Sequence, residues 1–82
     1  MHLEKPIPCE VCGKPAAVVV TPDAHDAQPA SYTYTRTCSG ECPPATRSLA
    51  PHDAQELTGH TYDGATGRWT RLISTSVEGW IP

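Results

Sequence analysis

The sequence predicts a small α+β domain stapled by a metal ion, and three observations carry that reading. The chain has 82 residues, near the size at which a hydrophobic core alone supplies only a few kcal/mol. Leu, Ile and Val fill 12 positions, about 15% of the chain, and Phe is absent, which is less apolar content than an ordinary packed domain carries. Against that thin core stand four cysteines in two close pairs, Cys9 with Cys12 and Cys38 with Cys42. A formal net charge of −3 is too small for the self-repulsion that keeps disordered chains open. A compact fold held together at one point fits these facts.

The elements follow in order. Residues 1–8 are polar and punctuated by prolines, and they read as a flexible lead before a single zinc-binding domain over 9–82. "KPAAVVVTP" holds a β-branched run from Val18 to Thr21 closed by Pro22, a strand pattern. "DAHDAQPA" is a turn-rich connection, with His25 beside Asp26 read as an exposed loop pair. "SYTYTRTC" alternates Ser31, Thr33, Thr35 and Thr37 with Tyr32, Tyr34 and Arg36, the period of a strand with two unlike faces. The two runs predict a hairpin with a long tip.

Beyond the second cysteine pair there is one helical signal. Ser48 can cap, Pro51 suits a first turn, Leu49, Ala50, Ala54 and Leu57 fall near one face, and Gly59 is a natural stop. "HTYDGATGRWTRLIS" then reads as a second hairpin, with a Gly-rich turn and a strand through Trp69, Leu72 and Ile73. The end of the chain carries an apolar pair, Trp80 and Ile81, which either packs on the core or docks elsewhere. The tetrapeptide "HDAQ" occurs at His25 and again at His52, but nothing around the copies aligns and no repeat follows.

No apolar run is long enough to span a bilayer and the N-terminus has no apolar leader, so the chain reads as soluble and cytoplasmic. In a reducing compartment, closely paired cysteines favour metal ligands over disulfides. Thiolates two or three residues apart on a tight turn can reach one tetrahedral ion at about 2.3 Å, and Gly13 permits the positive φ that such a turn uses. Four thiolates leave no open coordination position, which describes a structural zinc rather than a catalytic one. A metal-free or disulfide-bonded set and a rubredoxin-like iron site, the latter implying an electron carrier, are the alternatives.

The motifs "CEVCGKP", Cys9 to Pro15, and "CSGEC", Cys38 to Cys42, resemble the two knuckles of treble-clef zinc fingers of the YacG type and the FCS/TRASH type. The resemblance implies one zinc held by Cys9, Cys12, Cys38 and Cys42, a hairpin between the knuckles, and a helix opening at the second knuckle. The fold expected is treble-clef or zinc-ribbon-like. Three features depart from that family: a longer spacer of 25 residues between the pairs, Thr37 where an aromatic precedes the third cysteine, and Pro43-Pro44 where the helix would start. Proline inside a helix costs about 3 kcal/mol, so the helix is expected to begin at Pro43 itself or to be delayed to Ser48. The gyrase-binding activity of the family is not carried over.

Other candidate sites are weaker. His52, Glu56 and His60 stand at i, i+4 and i+8 and would share a helix face only if the helix ran past Gly59. No nucleophile, base and orienting group can be matched by spacing, so no enzyme activity is expected. Converting four thiols to thiolates around a dication takes the formal charge from −3 to −5, which disfavours phosphate backbones. A nucleic-acid reader would use Lys5 and Lys14 flanking the first knuckle and would gather Arg36, Arg47, Arg68 and Arg71 on one face, with Tyr32, Tyr34 and Trp69 for stacking. The remaining reading is a protein-interaction module, an accessory or inhibitor of a larger complex, whose partner docks on Trp69, Trp80 and Ile81.

Overall fold

Val18, Val19 and Val20 lie in the middle of a four-stranded antiparallel sheet, where β-branched side chains pack well on the pleated surface. In the computed structural model, which describes residues 2–24, 26–72 and 79–81, its strands are β1 (Leu3–Pro8), β2 (Pro15–Pro22), β3 (Tyr32–Cys38) and β4 (Ala45–Leu49). Their spatial order is also β1-β2-β3-β4. A helix α1 (Pro51–Thr58) follows, then a two-stranded sheet of β5 (His60–Asp63) and β6 (Arg68–Arg71). Because sequential antiparallel strands alternate direction, the β1–β2 and β3–β4 connections share one end of the sheet. Cys9, Cys12 and Cys42 sit in those connections, and Cys38 ends β3 beside them.

Side chains alternate between the two faces of a strand, and the register assigns them. One face carries Leu3 opposite Val20, Val20 opposite Tyr34, and Tyr32 opposite Leu49. These residues join Ala54, Tyr62 and Trp69 in the core. The Trp69 ring lies 5.6 Å from that of Tyr32 and 5.3 Å from that of Tyr62, both tilted, within the range of favourable aromatic pairs. The other face is hydroxyl-rich, with Thr33 and Thr35 half-buried and Thr37, Thr46 and Ser48 exposed.

The helix is bounded by the residues that foretold it. Pro51 occupies the first turn, where its missing N–H costs nothing. Gly59 ends it in the left-handed region, φ 68°, its N–H donating to the Gln55 carbonyl at 2.8 Å. Thr58, fully buried, fixes the exit: its hydroxyl donates to the Ala54 carbonyl at 2.7 Å and accepts the His60 N–H at 3.1 Å. At the far end of the sheet the long tip is tied down by Asp23, which accepts the hydroxyls of Ser31 and Thr33. Those two hydroxyls, Thr33 first, hold its carboxyl below the ordinary carboxylate range.

Three expectations are corrected. The supposed lead is strand β1, because Leu3 completes the core with no exposed surface. Pro6 and Pro8, which cannot donate to a ladder, are tolerated on an edge strand. The helix starts neither at Pro43 nor at Ser48. Residues 45–49 find a partner in β3, with Ser48 opposite Thr33, and the cap is Ala50 without a side-chain bond. Trp69, expected on a partner surface, is 8% exposed and belongs to the core.

The tail of the chain returns to β1. Ile81 and Glu4 exchange two backbone hydrogen bonds of 3.1 Å, Trp80 packs on the core cluster, and the Lys5 ammonium lies 5.8 Å over the Trp80 ring. The second hairpin is present as expected. Leu72 donates its N–H to the Gly59 carbonyl at 2.9 Å, while Ile73 and His25 lie outside the described residues.

The burial of Leu3 yields a direct test. Leu3→Ala should cost about 2–5 kcal/mol in a urea titration of the purified protein, whereas Val11→Ala, at a position 72% exposed, should stay within about 0.5 kcal/mol. A neutral Leu3→Ala would mean that β1 contributes nothing to the core.

Candidate metal centre

Two turns and one strand pairing build the site. In the first turn, Cys9 donates its N–H to the Lys14 carbonyl and accepts the Gly13 N–H on its own carbonyl, both at 2.8 Å. The chain can close so tightly because Gly13 takes φ 75°, a conformation that side-chain-bearing residues avoid. In the second turn, Cys38 ends β3 and pairs with Ala16, and the Ser39 N–H extends that pairing to the Pro15 carbonyl at 3.0 Å. The β2–β3 ladder therefore sets the two turns side by side.

The four sulfurs of Cys9, Cys12, Cys38 and Cys42 consequently lie within 4.8 Å of one another, and Cys12 Sγ and Cys38 Sγ approach to 3.4 Å. Sulfurs at about 2.3 Å from a tetrahedral ion would be roughly 3.8 Å apart. The donor set fits. Cys9 is buried, Cys38 and Cys42 are half-buried, and Cys12 is exposed. The Gly40 N–H points at Cys38 Sγ, 3.3 Å away, the kind of backbone bond that orients a thiolate ligand. A Cβ at Gly40 would lie 3.6 Å from both Cys12 Sγ and Cys38 Sγ and 2.8 Å from Lys14 Cδ, so the glycine lets the backbone come close.

The thiols are electrostatically unequal. Backbone N–H groups, first that of Cys12 and then that of Val11, pull Cys9 down to about 6 against the opposing effect of burial. Cys42 is pushed up to about 12, chiefly by its hydrogen bond with Cys12 and then by burial. Cys38 is also raised: the Gly40 N–H favours its thiolate, but Cys12, burial and Cys9 together outweigh that bond. One negative charge is welcome in this space and four are not, unless a cation is among them.

The other candidates disperse. His52 and Glu56 form an exposed pair at 3.0 Å on α1, whereas His60 is buried beyond Gly59, its Nδ1 2.8 Å from the Thr58 carbonyl. These three residues do not form a metal cluster. Of the proposed stacking residues, Tyr32 and Trp69 are buried, and Arg47 lies over Tyr34 at 4.7 Å. Sequence spacing identified the sulfurs but missed the backbone donors of Val11, Cys12 and Gly40, whose signal was only the glycine within "CSGEC".

Compared with known proteins, the chain matches no family model, no curated protein and no solved structure. The geometry thus defines a class rather than a family: a small α+β chain with a four-cysteine cluster suited to a metal ion. The second knuckle runs into strand β4, where a treble-clef finger would begin its helix.

Gly13 offers a check on the first turn. An added Cβ would meet nothing within 4 Å, so Gly13→Ala should cost about 1–2 kcal/mol from the backbone conformation alone. Gly13→Asn should recover part of it, because asparagine tolerates the left-handed region. Thermal denaturation of the two variants measures both; equal stability of the alanine variant and the parent would refute the assigned turn.

Proposed function

We propose that the four sulfurs hold one structural zinc ion and that the domain is a non-enzymatic protein-interaction module, an accessory or inhibitor of a larger complex. The observation that carries the zinc reading is the convergence of Cys9, Cys12, Cys38 and Cys42 within 4.8 Å at the sheet end away from the aromatic core. Soft thiolates in tetrahedral array suit zinc or iron, and four of them close the coordination sphere, which removes the open position that metal catalysis needs. With each knuckle at the tip of a β-hairpin, the arrangement is zinc-ribbon-like. A cytoplasmic setting agrees with cysteines kept as thiols.

Several observations support a protein partner. Among the described residues, Val11, Leu57 and Ile81 are large and exposed, and Val11 stands at the tip of the first knuckle. A nucleic-acid partner is disfavoured by the acidic balance and by the burial of Tyr32 and Trp69. The partner surface first expected at Trp69, Trp80 and Ile81 is reduced to Ile81 and the exposed part of Trp80.

Elemental analysis should find one zinc per chain. Cys42→Ser should lose it and collapse the dispersed amide spectrum, since zinc in such modules is worth about 10–16 kcal/mol, more than this core can replace. Iron would instead support the electron-carrier reading, and a metal-free fold with dispersed signals would overturn the zinc proposal. Capture of a specific protein from native lysate, lost when Val11 and Ile81 are replaced by Ser, tests the partner reading.

The raised Cys42 thiol sets the sign of a pH effect. Its proton is present in the metal-free fold at neutral pH and must leave when the ion enters, so acid opposes binding. Zinc affinity, measured by competition with a chelating dye, should rise about tenfold per pH unit for each proton displaced. An affinity flat between pH 6 and 8, on the order of neutrality, would mean the thiols are not the ligands.

A further inference from the structure

The core-side face of the large sheet is covered at one end by the aromatic cluster and left open towards the cysteines. A groove of about 240 Å³ lies there, floored by Ile7, Val18 and Tyr34, flanked by Leu57 of α1, and furnished with Arg36 and Arg47. The register explains the grouping: Val18 is opposite Arg36 and Tyr34 is opposite Arg47, so all four side chains share a face. Two of the six cationic side chains in an acidic protein are thereby set on one apolar floor.

Arg36 is the unusual residue. Its side chain is only 11% exposed, and its Nε is out of solvent without a partner among the described residues. A buried donor left unpaired keeps its full desolvation cost. Its guanidinium has one carboxylate contact, from Nη1 to Glu10 Oε1 at 3.3 Å, and that glutamate is 77% exposed. Such a long contact to an exposed side chain is weak. Glu10 shows which chemistry the guanidinium accepts and leaves most of its donors free.

We propose that this groove binds an acidic peptide segment of a partner protein, with an Asp or Glu carboxylate on Arg36 and Arg47 and a neighbouring aliphatic side chain on Ile7, Val18 and Leu57. A guanidinium fork matches a carboxylate through two parallel N–H···O bonds, and the incoming carboxylate displaces Glu10. The Arg47 guanidinium already lies over Tyr34, 4.7 Å from the ring centroid, a contact that holds it beside Arg36. The inference rests on the protein-binding reading above and gives that reading a surface and a partner chemistry.

The purified, metal-bearing protein is titrated with fluorescein-labelled octapeptides containing a Leu-x-Glu or Leu-x-Asp core and with their Gln and Asn counterparts. Acidic peptides should bind, their amide counterparts should not, and the Arg36 Nε–Hε signal should move in heteronuclear spectra. Arg36→Gln and Arg47→Gln should each weaken binding about tenfold or more, Arg36→Lys should restore only part of it, and Glu10→Gln should strengthen binding by up to about fivefold. Should Arg36→Gln fail to fold, the Arg47 and Glu10 variants, at exposed positions, still decide the matter. The proposal is overturned if no acidic peptide binds, if binding ignores Arg47 and Glu10, or if Arg36→Gln sheds metal while Arg47→Gln leaves peptide affinity unchanged, which would make Arg36 a counter-charge for the thiolates. Specific capture of a partner that persists in the Arg47→Gln protein would leave the interaction reading standing and remove the groove from it.

Discussion

The register of β2 against β3 decides whether the four sulfurs meet. Ala16 lies opposite Cys38, and this pairing sets the second cysteine turn beside the first. Shifting the ladder by one residue would send every β3 side chain to the other face. Tyr32 and Tyr34 would leave the core side, the threonines would take their places, and Cys38 would turn away from Cys9. The same hydrogen-bonded ladder therefore positions the aromatic core, the arginines and the metal ligands. Register is strongly specified here because the faces are so unlike, one aromatic and aliphatic, the other built from Thr33, Thr35 and Thr37.

Cohesion is divided along the sheet. At one end Leu3, Val20, Tyr32, Leu49, Ala54, Tyr62 and Trp69 exclude water. At the other the sulfur cluster replaces hydrophobic packing, and its unequal thiols, from Cys9 near 6 to Cys42 near 12, mark a space that a cation would balance. The strands between them are continuous, so neither end is an independent unit. Arg36 lies between the two regions, which is why its guanidinium is covered while its one carboxylate contact is the exposed Glu10.

What the sequence disclosed depended on how local the signal was. The cysteine spacing, the valine run, the alternating tyrosines and threonines, Pro51 at the helix start and Gly59 at its end are all short-range patterns, and each corresponds to the observed element. Strand β1 was hidden because Pro6 and Pro8 look like a loop when the edge position that tolerates them is not known. Strand β4, "ATRSL", has no apolar alternation and is a strand only because β3 offers it a partner. Whether Trp69 is core or surface depends on the ring of Tyr32 in the large sheet as well as on that of its hairpin partner Tyr62, and no window around residue 69 contains Tyr32. The unpaired Nε of Arg36 is a property of packing and has no sequence signature.

The bridge from Ile81 to Glu4 bears on how the open edge of the sheet is guarded. An open sheet exposes a row of backbone groups at each outer strand, a template on which another chain can add. On β1 that row is interrupted by Pro6 and Pro8, which lack donors, and is occupied at Glu4 by Ile81. Strand addition is thus obstructed along this edge by the two prolines and by the bridge from Ile81, and the opposite margin of the sheet, β4, is short and carries the charge of Arg47. Trp80 and Ile81 act as a stopper on this edge: cutting the chain before Trp80 would remove it and leave Pro6 and Pro8 as the obstacle to strand addition on β1.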